Sequence, residues 1–270
     1  MKKTPSGSAI DHLTGIHSVH EALESGRPLE RIVVARGRHG DRIEEIVALA
    51  RQRGVPVRFE DRGQLDRLAG TPQHQGIVAL AAARQAISLE ELLRRRASGK
   101  NVDDKSRPGL IVLLDGIEDP HNLGAVIRSA LAAGAEGVVL PERRASGLNA
   151  TVARAAAGAL EHLPVARVVN LARAMEQLKE AGYWLVGLDE RAEKNYTQVD
   201  FTGSIGLVLG GEGAGLHELV RKRCDFLVSI PTTGPVRSLN VSVAAGIMLF
   251  EAVRQRRMAK TGNSKIETGR

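Results

Sequence analysis

Side chains able to do chemistry collect in three short stretches of the C-terminal half. The first is "DPHNLGAVIRSA", residues 119–130. A turn carrying Asp, Pro, His and Asn leads into an apolar helix with a single arginine, Arg128. Asn122 stands where an N-cap belongs, its side-chain oxygen able to accept from a free helix N–H. Gly124 precedes Arg128 by four residues and shares its helical face. Helical side chains lean toward the N-terminus, so Arg128 is expected to run back over Gly124 toward Asn122. An arginine aimed at a helix N-terminus suits an anion or a polar substrate. A capped helix with a surface arginine fits the same residues equally well.

The second stretch is "LVLGGEGAGLHEL", residues 207–219, where Gly210, Gly211, Gly213 and Gly215 lie between a strand and a helix. GxxxxGK is absent, which excludes a P-loop, and the two-residue spacing of the glycines fails GxGxxG. The loop also follows a late strand, where a dinucleotide fold would use its first. Glu212 would repel a phosphate, so a cationic or neutral ligand fits better than a nucleotide phosphate; a tight strand-to-helix turn is the structural alternative. The third stretch is "SIPTTGPVRSLNVSVAAG", residues 229–246. Here Ser238 or Asn240 could cap the last helix or form the floor of a pocket.

All three stretches follow predicted strands of one mostly parallel sheet. Loops after the carboxyl ends of such strands converge on one edge, where open α/β folds bind ligands. Strands are expected at "GLIVLLD", "GVVL", "PVARV", "YWLVGLD", "SIGLVLG" and "DFLVSIP", with helices between them and a long closing helix from "SLNVSVAAG". This second α/β unit spans residues 109–257. Residues 15–83 read as a smaller strand-helix alternation, with strands "LERIVVA", "VPVRF" and "QGIVALAAA". Residues 84–108 read as a linker containing a helix capped by Ser88; residues 1–14 and 258–270 read as irregular ends.

The 270-residue chain is 43% hydrophobic, enough for a substantial core. Lys and Arg number 38 against 31 Asp and Glu, a net charge of +7, which favours a polyanionic partner such as nucleic acid. Aromatic residues make up only 3%, so extended base stacking is not expected. RNA contacts are expected from basic residues such as Arg36, Arg38, Arg42 and Arg62, with marked salt dependence. One cysteine, Cys224, excludes an intramolecular disulfide and a cysteine-based zinc site. His12, His17 and His20 lie close together without the carboxylate pattern of a metal site, and no metal is expected. No apolar run reaches a membrane span and the N-terminus lacks a signal-peptide core, so a cytoplasmic protein is expected.

"LDGIEDPHNLGAVIRSA", "LVLGGEGAGL" and "IPTTGPVRSLNVSVAAGIMLFEA" resemble, in order and spacing, the three signature motifs of the SpoU (TrmH-type) family of SPOUT RNA ribose 2′-O-methyltransferases. "GIHSVHEAL" and "HQGIVAL" resemble the ends of the small ribosomal-protein-like RNA-binding domain found in the subgroup acting on large-subunit ribosomal RNA. Thr232-Thr233 replaces a common Met, and Ala156 stands where Ser is common.

The resemblance implies an α/β chain in two parts: the N-terminal RNA-binding domain and a C-terminal SPOUT domain with a trefoil knot. It implies S-adenosylmethionine as donor, a guanosine ribose in 23S ribosomal RNA as substrate, and a homodimer with its active site at the interface. Asn122, Arg128, Glu212, Ser238 and Asn240 fall on the family's active-site positions. Gly210, Gly211, Gly215, Ile230 and Leu239 fall to the cofactor. Arg128 occupies the position of the family's suspected base. Two readings follow: Arg128 is transiently neutral, helped by burial and a nearby phosphate, or it stays charged, stabilises a developing alkoxide and holds an RNA phosphate; the second is preferred because guanidinium groups keep their proton in proteins. The alternatives are a transfer-RNA methyltransferase, which usually lacks the N-terminal extension, and a non-catalytic RNA-binding or assembly factor, which has no need of the five active-site residues together. A Rossmann enzyme lacks its glycine loop here.

Overall fold

The computed structural model describes residues 10–82, 86–98, 107–213, 215–235 and 238–267. The chain forms two compact units, Met1–Gln85 with Gly147–His162, and Ala86–Ser146 with Leu163–Arg270.

The first unit is built on a four-stranded sheet. Its strands β1 (Ile10–Thr14), β2 (Leu29–Ala35), β3 (Val57–Glu60) and β4 (Ile77–Ala82) lie in the order β1-β4-β2-β3, with β2 and β3 parallel and β4 antiparallel to β1 and β2. Side chains alternate across a strand. Ile32 and Val34 of β2 therefore join Val19, Leu23, Ile43 and Ile46 of α1 (Ile16–Glu24) and α2 (Asp41–Gln52), while Val33 turns to Leu65 of α3 (Arg62–Ala69). Residues 10–14, expected to be irregular, form the edge strand β1; "IDHLT" is too polar to announce a strand, and its register comes from β4.

Gly147–His162, expected in the second unit, groups with the first. It holds α6 (Ala150–Ala156), capped by Asn149, and a 3-10 turn (Ala159–Glu161). Arg27 donates to Asp11 and Glu161, each at 2.9 Å, and His162 Nε2 lies 2.6 Å from Glu21. Both carboxylates and Arg27 are largely buried. Removing one partner of such a cluster strands a charge and costs about 3–5 kcal/mol.

The second unit carries a six-stranded, wholly parallel sheet. It comprises β5 (Leu110–Asp115), β6 (Gly137–Pro141), β7 (Val165–Val168), β8 (Trp184–Leu188), β9 (Ile205–Gly210) and β10 (Phe226–Val228), ordered β10-β8-β9-β5-β6-β7. Every residue of β5 is buried, as a strand covered on both faces requires. Leu113, Val139, Leu185 and Val208 meet Leu89 and Leu92 of α4 (Leu89–Ser98), Met175 and Leu178 of α7 (Leu171–Glu180), and Val220 of α8 (Glu218–Arg223). α5 (Pro120–Ala132) and α9 (Val241–Glu267) lie against each other, burying Val126, Ile127, Ala245 and Met248.

The expected linker at 84–108 is thus partly structure of the second unit. Ser88 caps α4 through Glu91 N–H, Ile87 bridges β7 at Ala166, and residues 83–85 and 99–106 lie outside the described residues. The helix expected to end by residue 257 continues to Glu267; Met258, Ala259 and Lys260 are good helix formers and carry it into the extension. Buried Arg256 ties α9 to the sheet by donating to the carbonyls of Gly109 (2.8 Å), Phe201 (3.0 Å) and Gly203 (2.8 Å). Burial lowers its pKa to about 10.

Candidate active site

β5 begins the site. Its terminal Asp115 and the turn after it lead to Asp119, whose carboxylate accepts from His121 N–H, with Pro120 at the first helical position. Asp119 is therefore the N-cap of α5, where Asn122 was expected; a carboxylate followed by Pro is the stronger start signal. Asn122 lies inside the first turn and is buried. Its Nδ2 donates to Glu212 Oε1 at 2.7 Å, and its Oδ1 accepts from Asn240 Nδ2 at 3.0 Å. Asn240 Nδ2 also donates to Glu212 Oε1 at 3.1 Å. A carboxylate only accepts, so Glu212 dictates that both amide nitrogens face it. The loops after β5, β9 and β10 are tied into one network, as the sheet topology predicted.

Asn240 has a second task. Its Oδ1 accepts from Ser242 N–H at 2.9 Å and from Ser242 Oγ at 2.6 Å, which caps α9. Asn240 thus caps α9 and also lines the cleft bordered by Gly210 and Gly211.

The glycine loop is held by backbone meeting backbone. A Cβ on Gly210 would overlap the peptide of Gly215, and one on Gly211 would overlap the carbonyl of Gly116. Gly211 N–H donates to Asp115 O at 2.9 Å, and Gly215 N–H to Gly211 O at 3.0 Å. These glycines let the chain fold on itself and hold Glu212 at the rim of a cleft of about 520 Å³. Gly210, Gly211, Gly215, Ile230, Leu239, Ser238 and Asn240, all expected in the site, line this cleft. Leu188, Leu209, Ile230 and Leu239 give it apolar walls, while Glu190 and Glu212 supply carboxylates. The volume lies in the range of small-molecule sites. Apolar walls with acceptors suit a nucleoside that carries a positive charge, so the cleft fits S-adenosylmethionine.

Arg128 stands apart. It is exposed, lines neither this cleft nor the cavity beside it, and makes no hydrogen bond or ion pair among the described residues. Six residues separate it from Asn122, well over one and a half helical turns, which carries it round α5 and about 9 Å along the axis.

Asp189, Glu190 and Arg191 also line the cleft and were not foreseen. Asp189 directly follows β8, in "GLDER", and a carboxylate at the end of the predicted strand "YWLVGLD" on the ligand edge was the available signal. The Arg191 side chain at 2.9 Å, joined by Arg221 at 2.6 Å, holds the Asp189 carboxyl well below the usual carboxylate range.

In the first unit, Arg36 and Arg38 follow β2, Arg42 opens α2, and Arg62 follows β3. β2 and β3 are parallel, so both loops leave the sheet at one edge and all four arginines there are exposed. Phe59, 48% exposed, adds a ring at the end of β3 that the sequence reading did not single out. No group of three or more metal-ligating side chains occurs among the described residues, and no helix there is long and apolar enough to cross a membrane.

The sequence model of the SpoU rRNA methylase family matches residues 109–250, and that of the RNA 2′-O-ribose methyltransferase substrate-binding domain matches residues 13–86. The chain is 44% identical over 246 residues to the 23S rRNA (guanosine-2′-O-)-methyltransferase RlmB of Ralstonia nicotianae, covering 90% of this chain and 95% of that protein. It is 42% identical to YacO of Bacillus subtilis, whose name places it among TrmH-family tRNA/rRNA methyltransferases, over 91% of this chain and 96% of the other. The crystal structure of the SpoU methyltransferase AviRb from Streptomyces viridochromogenes in complex with AdoMet superposes with a TM-score of 0.75 at 28% identity, covering 92% of this chain and 91% of that one. With its motifs, its two matched domains and a cleft fitted to the donor, the chain belongs to the SpoU (TrmH) family of S-adenosylmethionine-dependent RNA ribose 2′-O-methyltransferases.

Proposed function

We propose that the chain methylates a guanosine ribose in 23S ribosomal RNA, as a cytoplasmic homodimer. The observation that carries the reading is the Asn122–Glu212–Asn240 network, which brings three loops to the rim of the donor cleft. RlmB, at 44% identity over nearly the whole chain, supports the guanosine and the large-subunit RNA. The arginine edge of the first unit supports a grip on RNA phosphates through Arg36, Arg38, Arg42 and Arg62.

Exposed Arg128 supports a site completed by a second copy. So does the exposed apolar face of α9, where Val243, Phe250 and Met258 are each at least half exposed. The strand order β10-β8-β9, in which the last strand steps back past β9 before α9 returns to α5, supports the trefoil-knotted SPOUT topology.

Bound S-adenosylmethionine supplies an electrophilic methyl group on a sulfonium. The backbone around Gly210, Gly211, Gly215, Ile230 and Leu239 would hold it. Glu212 keeps Oε2 without a hydrogen bond among the described residues, ready to accept from a ligand. Ser238 offers a hydroxyl at the cleft to the RNA. Arg128 of a second copy stays charged, stabilises the developing alkoxide and holds the neighbouring phosphate, while the proton leaves to water or phosphate.

The test is methyl transfer from labelled S-adenosylmethionine to ribosomal RNA from cells lacking this gene, with Arg128→Ala alongside and alkali-resistant linkages mapped. One resistant linkage in 23S RNA, absent with the variant, is the expected result. Incorporation into transfer RNA alone would keep the chemistry and replace the substrate. RNA binding without incorporation anywhere would favour an assembly factor.

A further inference from the structure

A second cavity of about 380 Å³ adjoins the donor cleft, sharing Gly211, Glu212, Gly215 and Val241 with it. Its polar lining comes from Asp115, Glu118, Asn122, Arg144, Glu212 and His217. Three of these form a relay. Buried Asp115 accepts from His217 N–H at 2.8 Å and faces His217 Nδ1 at 3.0 Å. A ring nitrogen against a carboxylate carries the proton, which leaves Nε2 to accept from Arg144 Nη1 at 3.4 Å. Asp115 thus orients His217, and His217 aims Arg144.

Arg144 sits at φ 56°, a left-handed conformation rare outside glycine. Such strain persists where the surroundings over-determine it, and it gathers at binding sites. Here Ser146 N–H donates to Ile117 O at 2.9 Å, pinning the Arg144 loop beside the turn that carries Glu118. Glu118 makes no hydrogen bond or ion pair among the described residues. The cavity therefore presents one uncommitted carboxylate and one aimed guanidinium.

We propose that this cavity receives the base of the target nucleotide and selects guanine, Glu118 accepting from N1–H and the N2 amino group while Arg144 donates to O6 and N7. The inference rests on the ribose-methylation reading and adds the residues that read the base. Guanine alone places two adjacent donors on its pairing edge and two acceptors on its other edge. Adenine would turn the N1 lone pair toward the carboxylate. Uracil offers one donor flanked by two carbonyls, and cytosine one amino group beside an acceptor. A site built of such partners rejects a base that leaves them unpaired.

The test uses the full-length protein, labelled S-adenosylmethionine and an unmodified 23S RNA transcript, with products digested and the 2′-O-methylnucleosides quantified. Once the site is mapped, transcripts carrying adenosine or inosine there are compared with the guanosine parent. The wild type is expected to form 2′-O-methylguanosine and to use inosine, which lacks the N2 amino group, roughly 10-fold less well. Glu118→Gln and Arg144→Ala are each expected to lower kcat/KM for RNA roughly 10- to 100-fold. Both should keep the melting temperature and the KM for S-adenosylmethionine, which a general structural defect would not spare. Glu118→Gln should also erase the guanosine-to-inosine preference. Wild-type rates and an unchanged preference in both variants overturn the base pocket, as does a wild-type product other than 2′-O-methylguanosine. No methylnucleoside in any RNA overturns the methylation reading itself.

Discussion

Asn240→Asp separates the two tasks of Asn240 with almost no change of shape. Aspartate caps helices as well as asparagine does, so the bonds to Ser242 survive. What reverses is the other end of the side chain, where an oxygen replaces the nitrogen 3.1 Å from Glu212 Oε1. Two unit charges at that distance repel by about 1.3 kcal/mol in water and about 5 kcal/mol at an effective dielectric of 20. Both residues face solvent, so a value near 2 kcal/mol is expected, and two lost amide bonds add about 1 kcal/mol. A loss of about 3 kcal/mol corresponds to roughly a 100-fold slower methyl transfer. At about 2–4 °C per kcal/mol, the melting temperature should fall by about 6–12 °C. Asn240→Ala loses the cap and the amide bonds but gains no repulsion, so it should be the milder change. Single-turnover methyl transfer at saturating S-adenosylmethionine, with thermal melts in parallel, measures both. If Asn240→Asp kept more than half the wild-type rate, or outperformed Asn240→Ala, the network would not govern the site.

Arg256→Met should destabilise the protein by about 3 kcal/mol or more, since three buried carbonyls lose a charged donor; urea unfolding with an unchanged midpoint would contradict this. Asp189 has a folded pKa below its ordinary value, so its contribution is present above about pH 4 and disappears as pH falls through the folded value. The gap in melting temperature between wild type and Asp189→Asn should therefore narrow from pH 6 to pH 3, and a constant gap would count against the Arg191 and Arg221 pairing. Burial under Gly187 pushes the Cys224 thiol up to about 12, so native protein at pH 8 should resist a thiol reagent that labels it quickly in denaturant. Gly211→Ala must displace the Gly116 carbonyl, and calorimetry should show S-adenosylmethionine binding weakened at least about 10-fold; wild-type affinity would remove the loop from the donor site.

The parts of the fold legible in sequence are those with local causes. β5 opens with five consecutive apolar residues, Leu110–Leu114, and β9 carries only Ile, Leu, Val and Gly, as strands buried on both faces do. α7 shows its stripe at Leu171, Ala174, Met175 and Leu178. The convergence of three loops followed from parallel strands and connection rules. Two features depended on partners distant in sequence. β1 is a strand because β4 lies beside it, and Leu89 and Leu92 leave the supposed linker because a core elsewhere accepts them. In the site, residue types at the strand ends marked Asn122, Glu212 and Asn240, but not their mutual bonds. Four-residue spacing placed Arg128 over Gly124, yet could not tell that the Arg128 side chain is exposed and outside the cleft while Gly124 is buried. Asp189, Arg144 and His217 were hidden because an Asp, an Arg and a His at loop edges are ordinary until a cavity joins them.

The segment Gly147–His162 makes the first unit discontinuous in the chain, and this bears on synthesis. Arg27 cannot meet Glu161, nor Glu21 meet His162, until residue 162 has been made. At 5–20 residues per second, translating residues 86–162 takes roughly 4–15 seconds after the four strands of the first sheet are complete. Throughout that interval the ribosome carries a nascent sheet whose final covering does not yet exist. The largely buried Arg27–Asp11 pair then lacks its second carboxylate, and the surface later taken by α6 is open to chaperones and proteases. Ribosome-bound chains stalled before residue 147 should be cut readily within residues 10–82, and those with residue 162 clear of the ribosome should not; equal cutting of both would mean that the sheet closes without its late-arriving segment.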